Sequence, residues 1–212
     1  MLAIDGGHPE IAKVLIEAGS VVDNADNLIG ITALHLSVFV GDDATAEMIL
    51  VCLSGDTGRK MRCINRRTRF GLSALHRAVA SGHLTTARLL LQHGGDPNIA
   101  EGKKRNISIL KSLTRTAYAH NSIDSQSPGI QSVVVSLLMN RSPHDSMDTA
   151  GEGATPLHYA AKSGDTPMIN LLLAAGADPQ LRIKKSKQSA VDWAIKHDRG
   201  SAIRAFEEHY QR

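Results

Sequence analysis

Residues 153–180, GATPLHYAAKSGDTPMINLLLAAGADPQ, restrict the possible folds more than any other stretch of the chain. Leu157, Ala160 and Ala161 recur at helical spacing, as do Met168, Leu171, Leu172 and Leu173; Gly164-Asp165 separates the two sets and Gly176-Ala177-Asp178-Pro179 closes the second. Each apolar segment is about ten residues, and helices that short are marginal in water on their own. Packed back to back, they bury one face and leave the other in need of a neighbour.

The chain supplies such neighbours. FGLSALHRAVASGHLTTARLLLQHGGDPN at 70–98 and GITALHLSVFVGDDATAEMILVCL at 30–53 repeat the pattern, and LAIDGGHPEIAKVLIEAGSVVD at 2–23 repeats its back half. Thr155-Pro156-Leu157-His158-Tyr159-Ala160 is the fullest form of a motif that Thr32-Ala33-Leu34-His35 and Ser73-Ala74-Leu75-His76 carry with one or two changes. The three stand in phase with Gly164, Gly41 and Gly82. These residues resemble the ankyrin repeat, with its Thr-Pro-Leu-His-x-Ala motif and period of about 33 residues. The resemblance covers nearly the whole chain. It implies an all-α repeat solenoid of stacked helix-turn-helix units with protruding β-hairpin-like loops, one domain over residues 1–212.

About six units are expected: a partial repeat at 1–27, then 28–69, 70–105, 106–150, 151–187 and a capping repeat at 188–212. In the first, Ile11, Val14, Leu15 and Ile16 are expected as a buried stripe. Leu2, Ala3 and Ile4 stand at an open end, so either the chain continues upstream in its natural form or this end packs on something. The step from Thr32 to Ser73 exceeds the family period, which places an enlarged polar and basic loop near 54–67, SGDTGRKMRCINRR. The fourth unit is degenerate. Ser108-Ile109-Leu110-Lys111 takes the motif's place, and an insertion is expected at 119–128. A second helix is expected at 130–139, with a weaker interface where the Thr and His are missing. In the last unit Ser189-Ala190-Val191-Asp192 fills the motif slot, and polar residues follow, as a cap requires.

Composition agrees with thin helical layers. Aromatic residues are only 3% of the chain, and the formal charge of +3 is mild, so a nucleic-acid binder relying on base stacking is disfavoured. Cys52 and Cys63 make no disulfide framework and are expected reduced. No apolar run approaches the roughly 20 residues of a membrane span, and no secretory pattern follows Met1. An intracellular setting, cytoplasmic or nuclear, is expected.

The resemblance also implies roles. The Thr hydroxyl and His ring fix the turn into the first helix and bond backbone between units, at Thr32 and His35, Ser73 and His76, and Thr155 and His158. The two residues before each inter-helix turn face a concave groove: Phe39 and Val40, Ala80 and Ser81, Arg115 and Thr116, Lys162 and Ser163, Lys196 and His197. The hairpin tips add Leu28 and Ile29, Arg69 and Phe70, Lys104 and Arg105, Glu152 and Lys185. These residues run from apolar in the N-terminal half to basic in the C-terminal half. The expected function is therefore non-enzymatic protein recognition, with a protein or peptide partner, acidic toward the C-terminal end, and no cofactor. Basic clusters in successive loops, 59–69, 103–105 and 182–187, share one edge of such an array and attract anions.

The alternative is an enzyme working on a small molecule. Its candidates are His120 and Asp124 in the fourth-unit insertion, His144, Asp145 and Asp148 in the loop after it, and His197, since histidine beside carboxylate suits acid–base work near neutral pH. No nucleophile triad is visible. Zinc-type Cys/His spacing is absent, so no metal site is expected.

Overall fold

The structure, a computed structural model, describes residues 1–26, 29–103 and 152–211. Among them are eleven α-helices: α1 Leu2–Asp5, α2 Pro9–Glu17, α3 Ala33–Val40, α4 Asp43–Cys52, α5 Thr57–Ile64, α6 Ala74–Ala80, α7 Leu84–Gln92, α8 Pro156–Ser163, α9 Thr166–Ala174, α10 Ala190–Lys196 and α11 Gly200–Tyr210. No strand occurs among the described residues; one isolated antiparallel bridge, Arg67 to Ser73, makes the loop there hairpin-like.

The first helices α3, α6, α8 and α10 each start where the sequence offers an N-cap. Thr32, Ser73 and Ser189 accept from the backbone N–H three residues on, and His35, His76 and Asp192 reach back to the cap's own N–H. This is a capping box, with His35 and His76, and Asp192 in the last layer, in the position usually held by Glu or Gln. The helices α3 and α8 end on Gly41 and Gly164 in left-handed conformations, φ 76 and 80, which glycine adopts without strain. Asp198 makes the same turn at φ 54 in the last unit, a conformation short polar side chains tolerate. Asp42 and Asp165 then cap α4 and α9.

The helices form two rows. The first helices α1, α3, α6, α8 and α10 pack in sequence, and so do the second helices α2, α4, α7, α9 and α11. The core runs along the stack. Leu34, Leu75 and Leu157 fill the first row, and Ile49, Leu90 and Leu172 the second, all at 2% exposure or less. Burying each such side chain stabilises by about 2 kcal/mol.

Two expectations need correcting. Residues 54–67 hold a helix, where a loop was expected. Asp56 caps α5 by accepting from Arg59 N–H at 2.9 Å, Cys63 and Ile64 turn inward, and the Arg59 guanidinium grips Asp23 through two bonds of 2.6 and 2.5 Å. In α2 the stripe is not buried: Ile11, Val14 and Leu15 are 53%, 63% and 46% exposed, and only Ala12 is fully covered. Among the described residues α2 packs on α1 and α4, and no further second-row helix covers this face. Helix α6 packs directly on α8. Residues 106–150, expected as the fourth unit, lie outside the described residues.

Candidate recognition surfaces

The histidines of the motif join one layer to the next. His35 Nε2 meets Arg66 O at 3.1 Å, His76 Nε2 meets Ala154 O at 3.1 Å, and His158 Nε2 meets Gln188 O at 3.3 Å. A carbonyl can only accept, so Nε2 carries the proton and Nδ1 is left as acceptor. The capping residues use it: Thr32, Ser73 and Thr155 place hydroxyl oxygens 2.8, 2.9 and 2.9 Å from Nδ1, and their backbone N–H groups donate to the same atom. Each ring is fully engaged in its neutral form. Burial pushes His35 and His76 down to about 4, and His158 in the same direction. These rings are structural; their protons are committed to holding layers together.

The groove positions lie at corresponding ends of successive first helices. Phe39 and Val40 end α3, Ala80 and Ser81 end α6, Lys162 and Ser163 end α8, and Lys196 and His197 end α10. Val40, Ser81, Ser163 and Lys196 are exposed, while Phe39, Ala80, Lys162 and His197 are half-buried. Arg115 and Thr116 lie outside the described residues. So do Leu28, Lys104 and Arg105 among the tips, and His120, Asp124, His144, Asp145 and Asp148 of the enzymatic alternative.

Two tip assignments are corrected. Ile29 and Phe70 are 1% and 8% exposed, because the tips fold inward onto the core. Arg69, Glu152 and Lys185 are exposed. The tips are tied to one another by backbone bonds: Arg69 N–H to Ile29 O, Gly102 N–H to Gly71 O, Glu101 N–H to Ala154 O, Gly153 N–H to Glu101 O, and Lys184 N–H to Glu152 O. Gly71 permits the closest approach. A Cβ there would stand 2.2 Å from Gly102 O.

The position after each motif histidine, and after Asp192 in the last layer, was not singled out by the sequence reading, yet it contributes to the groove. Leu36, Arg77, Tyr159 and Trp193 occupy it in four successive layers. The Arg77 guanidinium lies over the Phe39 ring at 4.6 Å, so this part of the N-terminal half is not simply apolar. The Lys162 ammonium lies 5.9 Å from the Trp193 ring, and Tyr159 donates to the buried Glu101 carboxylate at 2.8 Å. The rings of His76 and His158 meet Tyr159 and Trp193 edge-on at 5.8 and 5.9 Å. The signal was available as a variable slot at a fixed offset from the motif's His or Asp. His197 sits against Trp193, and burial, then Lys162, Lys196 and Arg199, push its imidazole down.

No three metal-ligating side chains come together among the described residues. No described helix is long and apolar enough to cross a membrane. Cys52 and Cys63 are unpaired, and burial pushes the Cys63 thiol up to about 11.

Against known families, the model described as ankyrin repeats (3 copies) matches residues 1–101 and 123–210. The chain belongs to the ankyrin-repeat family. That ankyrin match takes in residues 123–150, so the sequence there is of the family even though α6 and α8 are in direct contact. Among curated ankyrin-containing relatives, the chain is 30% identical over 180 residues to the nuclear factor NF-kappa-B p105 subunit of Gallus gallus, covering 85% of this chain and 16% of that protein. It is 32% identical over 151 residues to the Mus musculus p105 subunit, 71% of this chain and 14% of that one. It is 30% identical over 97 residues to ankyrin repeat and SOCS box protein 3 of Homo sapiens, 46% of this chain and 18% of that one. The chain thus spans less than a fifth of the length of these relatives. Ankyrin repeats are in general protein–protein interaction modules, and the concave side of the stack is the surface they offer.

Proposed function

We propose that this ankyrin array is a non-enzymatic recognition scaffold that holds a partner segment along the groove formed by the ends of α3, α6, α8 and α10. The observation that carries the reading is the row of exposed side chains Val40, Ser81, Ser163 and Lys196, one from each of four successive first helices. Rigid spacing of that kind positions several contacts before binding and lowers the entropic cost of association. The partner meets an aliphatic side chain and the Phe39–Arg77 pair at the N-terminal end, and Lys162 and Lys196 at the C-terminal end, which favours an acidic residue there. The proposal includes an intracellular setting, supported by two cysteines that remain thiols.

Photo-crosslinking tests it. A crosslinking residue at Ser81 or Ser163 is expected to capture a partner in cells, and the same residue at exposed Arg204 on α11 is not. Equal capture at all three positions would remove the groove from the account.

A further inference from the structure

The loop tips form a second charged surface, apart from the groove. Arg66, Arg67 and Arg69 stand on one tip, Lys103 on the next, and Arg182, Lys184, Lys185 and Lys187 on the last; all eight are exposed. The backbone bonds between tips make these cations neighbours. The Arg67 stem crosses to the adjacent loop, where a Cβ on Gly102 would meet its Cδ at 3.2 Å. The Lys184 stem lies on Gly153 in the same way, at 3.1 Å. Glu152 accepts from Lys184 at 2.9 Å and also feels Lys103, so the second and third tips share one field.

Opposing charge at the tips is small. Glu152 is bonded to Lys184, Asp192 lies 3.6 Å from Arg182, Glu101 is buried, and Asp26 accepts from Ile29 and Ile31 N–H in its own loop. Arg66, Arg67, Lys103, Lys185 and Lys187 make no ion pair among the described residues. Such a strip raises the local concentration of anions.

We propose that this tip edge docks an extended acidic segment of a partner protein. Of the described apolar and aromatic residues of the tips, Ile29, Phe70, Ala154 and Ile183 are buried and Leu72 is half-buried. Among the described residues, the tips expose no aromatic side chain for stacking against bases and no apolar one for insertion into a lipid surface. Packed layers repeat about every 8–10 Å, and an extended chain advances about 3.3 Å per residue. The matching ligand carries an acidic residue at every third position. The inference shares with the groove reading only the premise that the ligand is a protein.

Fluorescence anisotropy on the full chain tests it, with a labelled peptide of five Glu-Ser-Gly units and a second peptide of the same composition with its five glutamates contiguous. The spaced peptide is expected to bind at least fivefold more tightly. Arg66→Glu with Arg67→Glu, and Lys185→Glu with Lys187→Glu, are each expected to weaken it tenfold or more, and the corresponding Gln variants by less. Val40→Ala with Ser81→Ala is expected to leave it within twofold. Charge reversals without effect would overturn the proposal. So would equal binding of both peptides, or a DNA duplex or anionic vesicles competing at equal charge with the same variant profile. Loss of binding in the groove variant alone would sink this inference and leave the groove reading intact.

Discussion

The two ends of the stack carry the same helix pair and treat it differently. Ile11 and Leu15 of α2 hold the register positions of Thr45 and Ile49 in α4, Thr86 and Leu90 in α7, and Met168 and Leu172 in α9. Those six are at most 1% exposed, because the preceding layer covers them. At the other end, Glu207 of α11 occupies the position of Leu50 and Leu173, which are buried, and it meets solvent as a charge. The difference teaches that a repeat's pattern records what an average layer needs. Whether a given layer has a neighbour shows only where polar residues break the pattern, as they do in α11 and do not in α2.

The largest expected effect separates interior from end. Leu172→Ala in α9 is expected to cost about 3–5 kcal/mol in urea unfolding, since it opens a cavity between two layers. Leu15→Ala, at the same register, is expected to cost under about 1 kcal/mol. Equal losses would mean that α2 is covered in solution.

Acid should sharpen the contrast further. The folded values of His35 and His76, about 4, lie below the ordinary 6.5, so the unfolded chain takes up protons that the folded one refuses. Their contribution is whole above pH 6.5 and is lost as the pH falls toward 4, by about 3 kcal/mol for each buried ring. The last layer has Asp192 instead, held below the ordinary 3.8 chiefly by the Ser189 N–H, and it loses stability only below that pH. The urea midpoint measured from pH 7 to 4.5 should therefore fall, and His76→Gln should flatten the slope. A midpoint constant over that range would contradict the neutral, Nε2-protonated rings.

Smaller changes test the caps. Ser73→Ala removes both the hydroxyl that accepts from His76 N–H and its contact with Nδ1, and is expected to cost about 1 kcal/mol by thermal unfolding. Ser189→Ala at the terminal layer should cost less, because fraying there disturbs one neighbour only. Smallest of all, Val14→Lys on the open N-terminal face should change stability by no more than about 0.5 kcal/mol.

Much of this architecture was legible because the motif states its own physics. Thr or Ser three residues before His predicts a cap, a glycine after the helix predicts the turn, and both recur in phase. Features that depend on neighbours were not legible. Helix α5 was hidden by its basic composition, although Asp56 and the inward pair Cys63 and Ile64 are enough to build it. Phe70 and Ile29 read as exposed tips because nothing local shows that the loop doubles back onto the core. The Arg77–Phe39 pair joins two layers, and no window of one repeat contains both residues. The third unit's direct contact with the fifth contradicts simple sequence order.

That contact sets the order of assembly. A stacked array grows by each layer docking on the one just formed. His35 and His158 bridge separations of 31 and 30 residues, whereas His76 must find a carbonyl 78 residues away. The added loop entropy is only about 0.8 kcal/mol, enough to slow that closure roughly fourfold. The two blocks on either side should therefore become native separately and join last, with the His76 bond as the late step in folding.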